Sequence, residues 1–506
     1  MLTRTGAVAT LAAMESMPLT RNTSTFREGK AGPLLFMDAV YLLVVFSWTL
    51  FLPPLGRDYA ALANFAPFGD SIAFYHAINL ALLYLAMVLV FFLTRLATGG
   101  PWWLGSVAAV VFMAHPLKAE AVLNLSGMKD LLPAVLSLAT LLAYAQARRR
   151  PEWVVSFLAA LLFAGALLLV PGQGGLLFAV MAWEGCVVDR AQRRMAILLP
   201  FMGIAALGWF MYPPVLALLP LPLTGAFWPM TSLVYPIGLL PETAAAFRAQ
   251  PFLPALVFGG LALAAVGLAR TVRHPAFTFG LLAAAGFAVF GEYRPVDPVH
   301  LIGGGRMLPA IALFAIALAG AFHRMVHHPA WPKPTVWVSS VLCLVLMILH
   351  VQTNLAWNRA GDAVRAFRQA AFTAAAQHPG ERLAVFPDFR YCDRAPVQFS
   401  ESVRHTTPFG RAFPVEVIAS YDPDTLDFGA FSFLGYDATS ASFAATVQGP
   451  FAVTGPDRRR LTPENGLHWS WLQWLSPRNM TTPKRTVEVH VVPDGKPFPE
   501  TRIAFP

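Results

Sequence analysis

Residues 74–96 read FYHAINLALLYLAMVLVFFLTRL, an apolar run whose first charged side chain is Arg95. About 20 such residues, wound as a helix, cross a hydrocarbon core of about 30 Å. Lipid offers no partner to free backbone groups, so only a helix is credible for the segment. Comparable runs recur near 34–52, 74–94, 102–114, 131–147, 153–170, 175–188, 195–218, 252–270, 276–291, 307–322 and 335–352. The expected fold class is therefore a polytopic α-helical membrane protein of about eleven spans. Composition agrees: of 506 residues, 56% are hydrophobic and only 13% charged, against about 25% charged in soluble domains.

The net charge of +9 does not point to nucleic acid, because no basic patch interleaved with aromatics is present. The basic residues instead fall in alternate short connections, at Arg95, Arg148 to Arg150, Arg190, Arg193, Arg194, Arg270, Arg273, Arg324 and Lys333. The positive-inside rule makes those connections and the N-terminal tail cytoplasmic. An odd number of spans then carries the C-terminus outside. Three regions result: a polar cytoplasmic tail over 1–33, a transmembrane domain over 34–353 and an extracytoplasmic region over 354–506. The last begins with an amphipathic helix over 357–377 and continues in short alternating runs broken by Asp, Pro and Gly, which predict a small α/β or β-rich domain. The proline-broken stretch 219–251 reads as an interfacial or re-entrant segment on the outer side. The three cysteines show no metal-ligand or disulfide spacing.

Chemistry in such a protein needs polar groups at a water-facing rim, and the outer connections hold them. The first carries Arg57, Asp58, Asn64 and Asp70, followed by His76 and Asn79 at the start of the second span. The next reads HPLKAEAVLNLSGMKDLL (115–132), with His115, Lys118, Glu120, Lys129 and Asp130. A later one holds Glu292, Arg294, Asp297 and His300, then Gly303 to Gly305 before Arg306. Each also has a structural reading. Lys129 and Asp130 can anchor a span at the interface. His76 and Asn79, one turn apart, can bond between helices. Asp70 can cap a helix beside Ser71. The glycine run lacks the GK[ST] ending of a nucleotide-binding loop.

The stretches FYHAINLALLYLAMVLVFFLTRL and VVFMAHPLKAEAVLNLSGMKDLLPAVLSLATLLAYA resemble GT-C glycosyltransferases, in particular the transmembrane O-mannosyltransferase-like branch. That branch shows H-x-x-N at its second span, then HP-x-x-x-E-A-V and SG-x-x-D-L-L. The residues here are His76, Asn79, His115, Pro116, Glu120, Ala121, Val122, Ser126, Gly127, Asp130, Leu131 and Leu132. The segments at 230–241, 303–320 and 352–367 are similar to later motifs of the family, with Arg306 on the family arginine. No TPR-like repeat is present.

The resemblance implies sugar transfer from a polyprenyl-phosphate carrier to an envelope glycan, lipid or protein acceptor on the outer face, with no cofactor; no metal is expected either, because hard-cation sites want several oxygens and Asp58 stands alone. Asp58 maps onto the general base, which must take the acceptor hydroxyl proton. Arg306 suits the leaving phosphate as a bidentate donor, and His76, Asn79, His115, Glu120, Lys129, Asp130 and His300 would line the substrate site. A bacterial inner membrane is the implied location, with lipid-linked sugar and acceptor as partners and no nucleic acid. The chain departs from the pattern at three places: Arg57-Asp58 stands for an acid pair, the uncharged VPGQGG for a Lys-Glu motif, and Gly305 for the Glu before the arginine. An inactive scaffold or lipid-glycan-binding subunit is the alternative reading. The transferase reading predicts that Asp58, His115, Glu120 and Arg306 converge at one end of the bundle.

Overall fold

The computed structural model describes residues 31–55, 58, 71–149, 152–169, 175–193, 195–211, 272, 274–290, 304–326 and 332–377, with Ser402 and short strand segments between 382 and 492. The tail 1–30, Arg57, Asn64, Asp70, the stretch 219–251, the span 252–270 and the connection holding Glu292 to His300 lie outside the described residues.

The helices are α1 (Ala31–Phe46, continued by a 3-10 turn Ser47–Phe51), α2 (Ile72–Thr98), α3 (Trp102–Ala114), α4 (Ala119–Leu123), α5 (Met128–Arg149), α6 (Trp153–Leu169), α7 (Gly175–Cys186), α8 (Leu199–Met211), α9 (Pro275–Phe290), α10 (Leu308–Val326) and α11 (Pro332–Gln377). Among the described residues, Ala31–Phe51, Ile72–Thr98, Leu125–Arg149 and Gly305–Val326 are long and apolar enough to cross a membrane. Trp102–Ala114 joined to Pro116–Leu123 adds a fifth if its 60° bend lies within one span. The chain is an integral membrane protein. Over the described residues, four further apolar helices at expected spans are shorter: α6, α7, α8 and α9 have 17, 12, 13 and 16 residues, roughly 26, 18, 20 and 24 Å of helix against about 30 Å.

Packing follows the small residues. The side of α9 that meets α10 carries Gly280, where a Cβ would stand 2.5 Å from the Leu313 carbonyl oxygen and 2.6 Å from the Ala317 nitrogen. Backbones can approach that closely only without a side chain, the usual device where lipid supplies no hydrophobic drive between helices. Outward faces stay apolar and exposed, as at Phe36 and Val44 of α1 and Trp153 and Phe157 of α6.

The expected break between the last span and the amphipathic helix is absent. Residues 332–377 form one helix of 46 residues, about 69 Å long. That is more than twice the hydrocarbon thickness, so its last turns stand clear of the membrane. No proline interrupts it after Pro334. Beyond it, β1 (Arg382–Phe386) pairs antiparallel with a late strand, Glu488–Val492, and parallel with Val415–Val417. A hairpin joins Ser432–Asp437 to Ser442–Gln448.

Candidate functional site

The loop 115–128 folds as a crease. His115 ends α3, and Pro116, which has no N–H to continue the ladder, opens a 3-10 turn over Pro116–Lys118. The five-residue α4 follows, then a second 3-10 turn over Leu125–Gly127, then α5. The chain enters the bundle, bends and leaves again at one end.

Asp58 holds the crease shut. Its Oδ1 accepts from the Ser126 backbone N–H at 3.0 Å and the Ser126 hydroxyl at 2.8 Å. Its Oδ2 accepts from the N–H groups of Leu125 at 2.9 Å and Leu55 at 3.3 Å. A carboxylate has about four acceptor sites, and these four donors fill them. The residue is 1% exposed. Burial raises its pKa above the ordinary carboxylate range, while the bonds from Ser126, Leu125 and Leu55 pull it back.

Asn79 braces the same loop by donating to the Asn124 carbonyl at 2.7 Å. Its Oδ1 is buried and has no hydrogen-bond partner among the described residues, as is the Asn124 Oδ1. Gly127 allows this closeness, because a Cβ there would sit 1.8 Å from the Ala121 carbonyl oxygen. His76 places Nε2 3.1 Å from the Leu52 carbonyl, tying α2 to the chain after α1.

The opposite wall is the turn Gly304–Met307 before α10, packed on α4 and on the turn at 116–118. Arg306 Nε lies 4.0 Å from Asp130 Oδ1, with side chains 28% and 26% exposed. Gly305 lets the two segments meet, since a Cβ would fall 2.4 Å from Asp130 Oδ2. Asp58, Asp130, Arg306 and Glu120 thus belong to one knot around the crease. Glu120 is half-buried there and Lys129 exposed, whereas His115 is 2% exposed. His300 lies outside the described residues.

Sequence reasoning passed over Lys118 as one more loop charge. It is fully buried, with Nζ 3.1 Å from His350 Nδ1 and 4.9 Å from the centre of the Phe46 ring. No carboxylate among the described residues reaches it. On its other side His350 Nε2 lies 3.3 Å from Asn354 Nδ2. With that amide donating, His350 carries its proton on Nδ1 and donates to Lys118, whose amine must then be uncharged. With the amide turned over, Asn354 Oδ1 accepts from Nε2–H and His350 Nδ1 accepts from Lys118, which can donate as an amine or as an ammonium. The signal in the sequence was His350 and Asn354, two polar residues one turn apart where the last apolar run ends.

Among the described residues, no group of three or more His, Cys, Asp and Glu is placed to hold a metal ion. A cavity of about 480 Å³ lies between α2, α5 and α6, away from this site. No protein-family model matches the chain, and neither a curated protein nor a solved structure is significantly similar to it.

Proposed function

We propose that the protein is a glycosyltransferase that moves a sugar from a polyprenyl-phosphate carrier to an envelope glycan, lipid or protein acceptor at the creased end of the bundle. One observation carries the reading. Three pieces distant in sequence, Asp58, the loop 115–130 and Arg306, close on one another at the same end. Transfer needs a cation for the departing phosphate and a carboxylate for the acceptor proton. Arg306 and Asp130 are part-exposed and serve as the phosphate ligand and its positioning partner. Asp58 takes the proton only when the Ser126 contacts open, so loop movement belongs to the reaction cycle. We place the creased end on the extracytoplasmic face of a bacterial inner membrane, with about eleven spans, a cytoplasmic N-terminus and an outer C-terminal domain.

The four filled acceptor sites of Asp58 favour a second reading, a GT-C-like scaffold or lipid-glycan-binding subunit without turnover. Sugar release from a panel of polyprenyl-phosphate sugars by wild type, Asp58→Asn and Arg306→Ala separates them. Turnover by wild type that collapses in both variants supports the transferase. Carrier binding with no turnover by wild type supports the subunit.

A further inference from the structure

The cavity between α2, α5 and α6 has walls of Leu89, Leu142, Leu158 and Leu162, and Gln146 and Glu152 stand where α5 hands over to α6. From Glu152 to Leu162 the chain climbs about ten residues, about 15 Å of helix. That is half of a hydrocarbon core of about 30 Å, the depth of one leaflet. The volume, about 480 Å³, lies within the range of small-molecule sites, roughly 300–1,000 Å³. An apolar slot one leaflet deep in a membrane helix bundle is shaped for one acyl chain.

The rim says which headgroup. Arg149 follows Gln146 by three positions and so shares its face of α5. It gives one N–H to the Leu96 carbonyl at 3.0 Å, and a guanidinium has five such donors. Across the α5–α6 connection, no described residue pairs with the Glu152 carboxylate. Glu152 lines the cavity, and Arg149, one turn past the lining residue Gln146, reaches across to α2 at the same end, where Glu184 is consumed by Arg148 and Tyr144.

We propose that this crevice is a binding site for an amine-headed phospholipid such as phosphatidylethanolamine. One acyl chain fills the leucine-lined slot, the phosphate meets Arg149, and the primary ammonium donates to Glu152. A choline headgroup has no N–H to donate, and a glycerol headgroup brings no cation. The site is independent of the chemistry at the creased end.

The test uses the full chain in detergent. Thermal unfolding is followed with phosphatidylethanolamine, phosphatidylcholine or phosphatidylglycerol of identical acyl chains, for wild type, Glu152→Gln and Leu158→Trp. Leu158 is 45% exposed, so the larger ring plugs the slot without entering the core. Phosphatidylethanolamine is expected to raise Tm more than the other two lipids in wild type. Glu152→Gln is expected to erase that advantage, and Leu158→Trp to weaken stabilisation by all three. Equal stabilisation of wild type by the three lipids means annular lipid only and overturns the proposal. Preference for phosphatidylglycerol, or a preference for phosphatidylethanolamine that survives Glu152→Gln, overturns it as well.

Discussion

Both ends of the helix bundle bury ionisable side chains, and they do it in opposite ways. At the basic rim Glu184 is 1% exposed and is met by three donors: the Tyr144 hydroxyl at 2.8 Å and Arg148 through Nε at 2.9 Å and a terminal nitrogen at 3.0 Å. At the creased end Lys118 is as deeply buried, yet its described partners are a neutral ring nitrogen and the face of Phe46. Buried oxygens of Asn79, Asn124, Gln352 and Asn354 around that end also lack partners among the described residues. Satisfied networks rigidify, whereas partly satisfied ones cost stability and persist where they serve a ligand or a movement. The comparison marks the Glu184 network as a brace and the crease as the end whose polar groups have capacity left among the described residues.

The largest expected effect breaks the satisfied side. Glu184→Ala leaves Arg148, whose side chain is only 12% exposed, without its acid. Removal of one partner from a buried pair costs about 3–5 kcal/mol, so Tm should fall steeply while any carrier binding at the opposite end survives in the folded fraction. Loss of carrier binding in step with Glu184 would erase the division between the ends.

Next comes pH. His274 precedes α9; its Nδ1 accepts from the Ala276 N–H at 3.2 Å, capping the helix, and its Nε2 lies 3.2 Å from His323 Nδ1 on α10. The cap fixes the proton on Nε2, so His274 donates to His323. Burial first, then His323 and Arg324, lower the His274 pKa from 6.5 to about 4. The unfolded state binds the extra proton first, so stability is full above about pH 6.5 and is lost as pH falls from there towards 4. The loss reaches up to about 3 kcal/mol at about 1.4 kcal/mol per pKa unit. Amide protection of Ala276 to Thr278, corrected for intrinsic exchange, should drop across that window in wild type. In His274→Asn, which keeps a capping oxygen that does not titrate, it should stay flat.

What was legible in the sequence divides along the same line. Long apolar runs such as 72–98 announce a membrane helix because burial in lipid demands an unbroken ladder, and the H-x-x-N and SG-x-x-D patterns marked the loop that folds into the crease. The roles within that loop were hidden. The clamp made by Asp58 was hidden because two of its four donors are backbone N–H groups 67 and 68 positions away, and no side-chain pattern encodes a backbone donor. Lys118 and His350 are 232 positions apart, so neither announces the other. The continuity of α11 was missed because polarity changes at Asn354 while the helical backbone does not; hydropathy reads the solvent, not the ladder.

A smaller effect sharpens the crease. Gly127→Ala puts a methyl within contact of the Ala121 backbone, which cannot yield as a side-chain tip can. Overpacking of this kind costs about 1–3 kcal/mol. Because Asp58 binds the adjacent Ser126, the shift should also expose the Leu125 and Ser126 amides to exchange. Unchanged protection there would show that the crease is not clamped as a unit.

The smallest effect has the opposite sign. Lys118→Met keeps the length of the side chain and removes a buried amine that has no acid among the described residues. Replacing buried ionic groups by apolar ones of similar volume is neutral or stabilising, by up to a few kcal/mol, so here a gain of about 1 kcal/mol in unfolding free energy is expected. If the crease is the transfer site, that gain should come with lost turnover, the usual exchange where a destabilised group serves function. A destabilised Lys118→Met would instead mean that the lysine and His350 tie α11 to the loop as firmly as Arg148 ties α5 to α7. Both ends of the bundle would then be built on the same principle, and the orphaned oxygens around Asn79 and Asn354 would need a different cause.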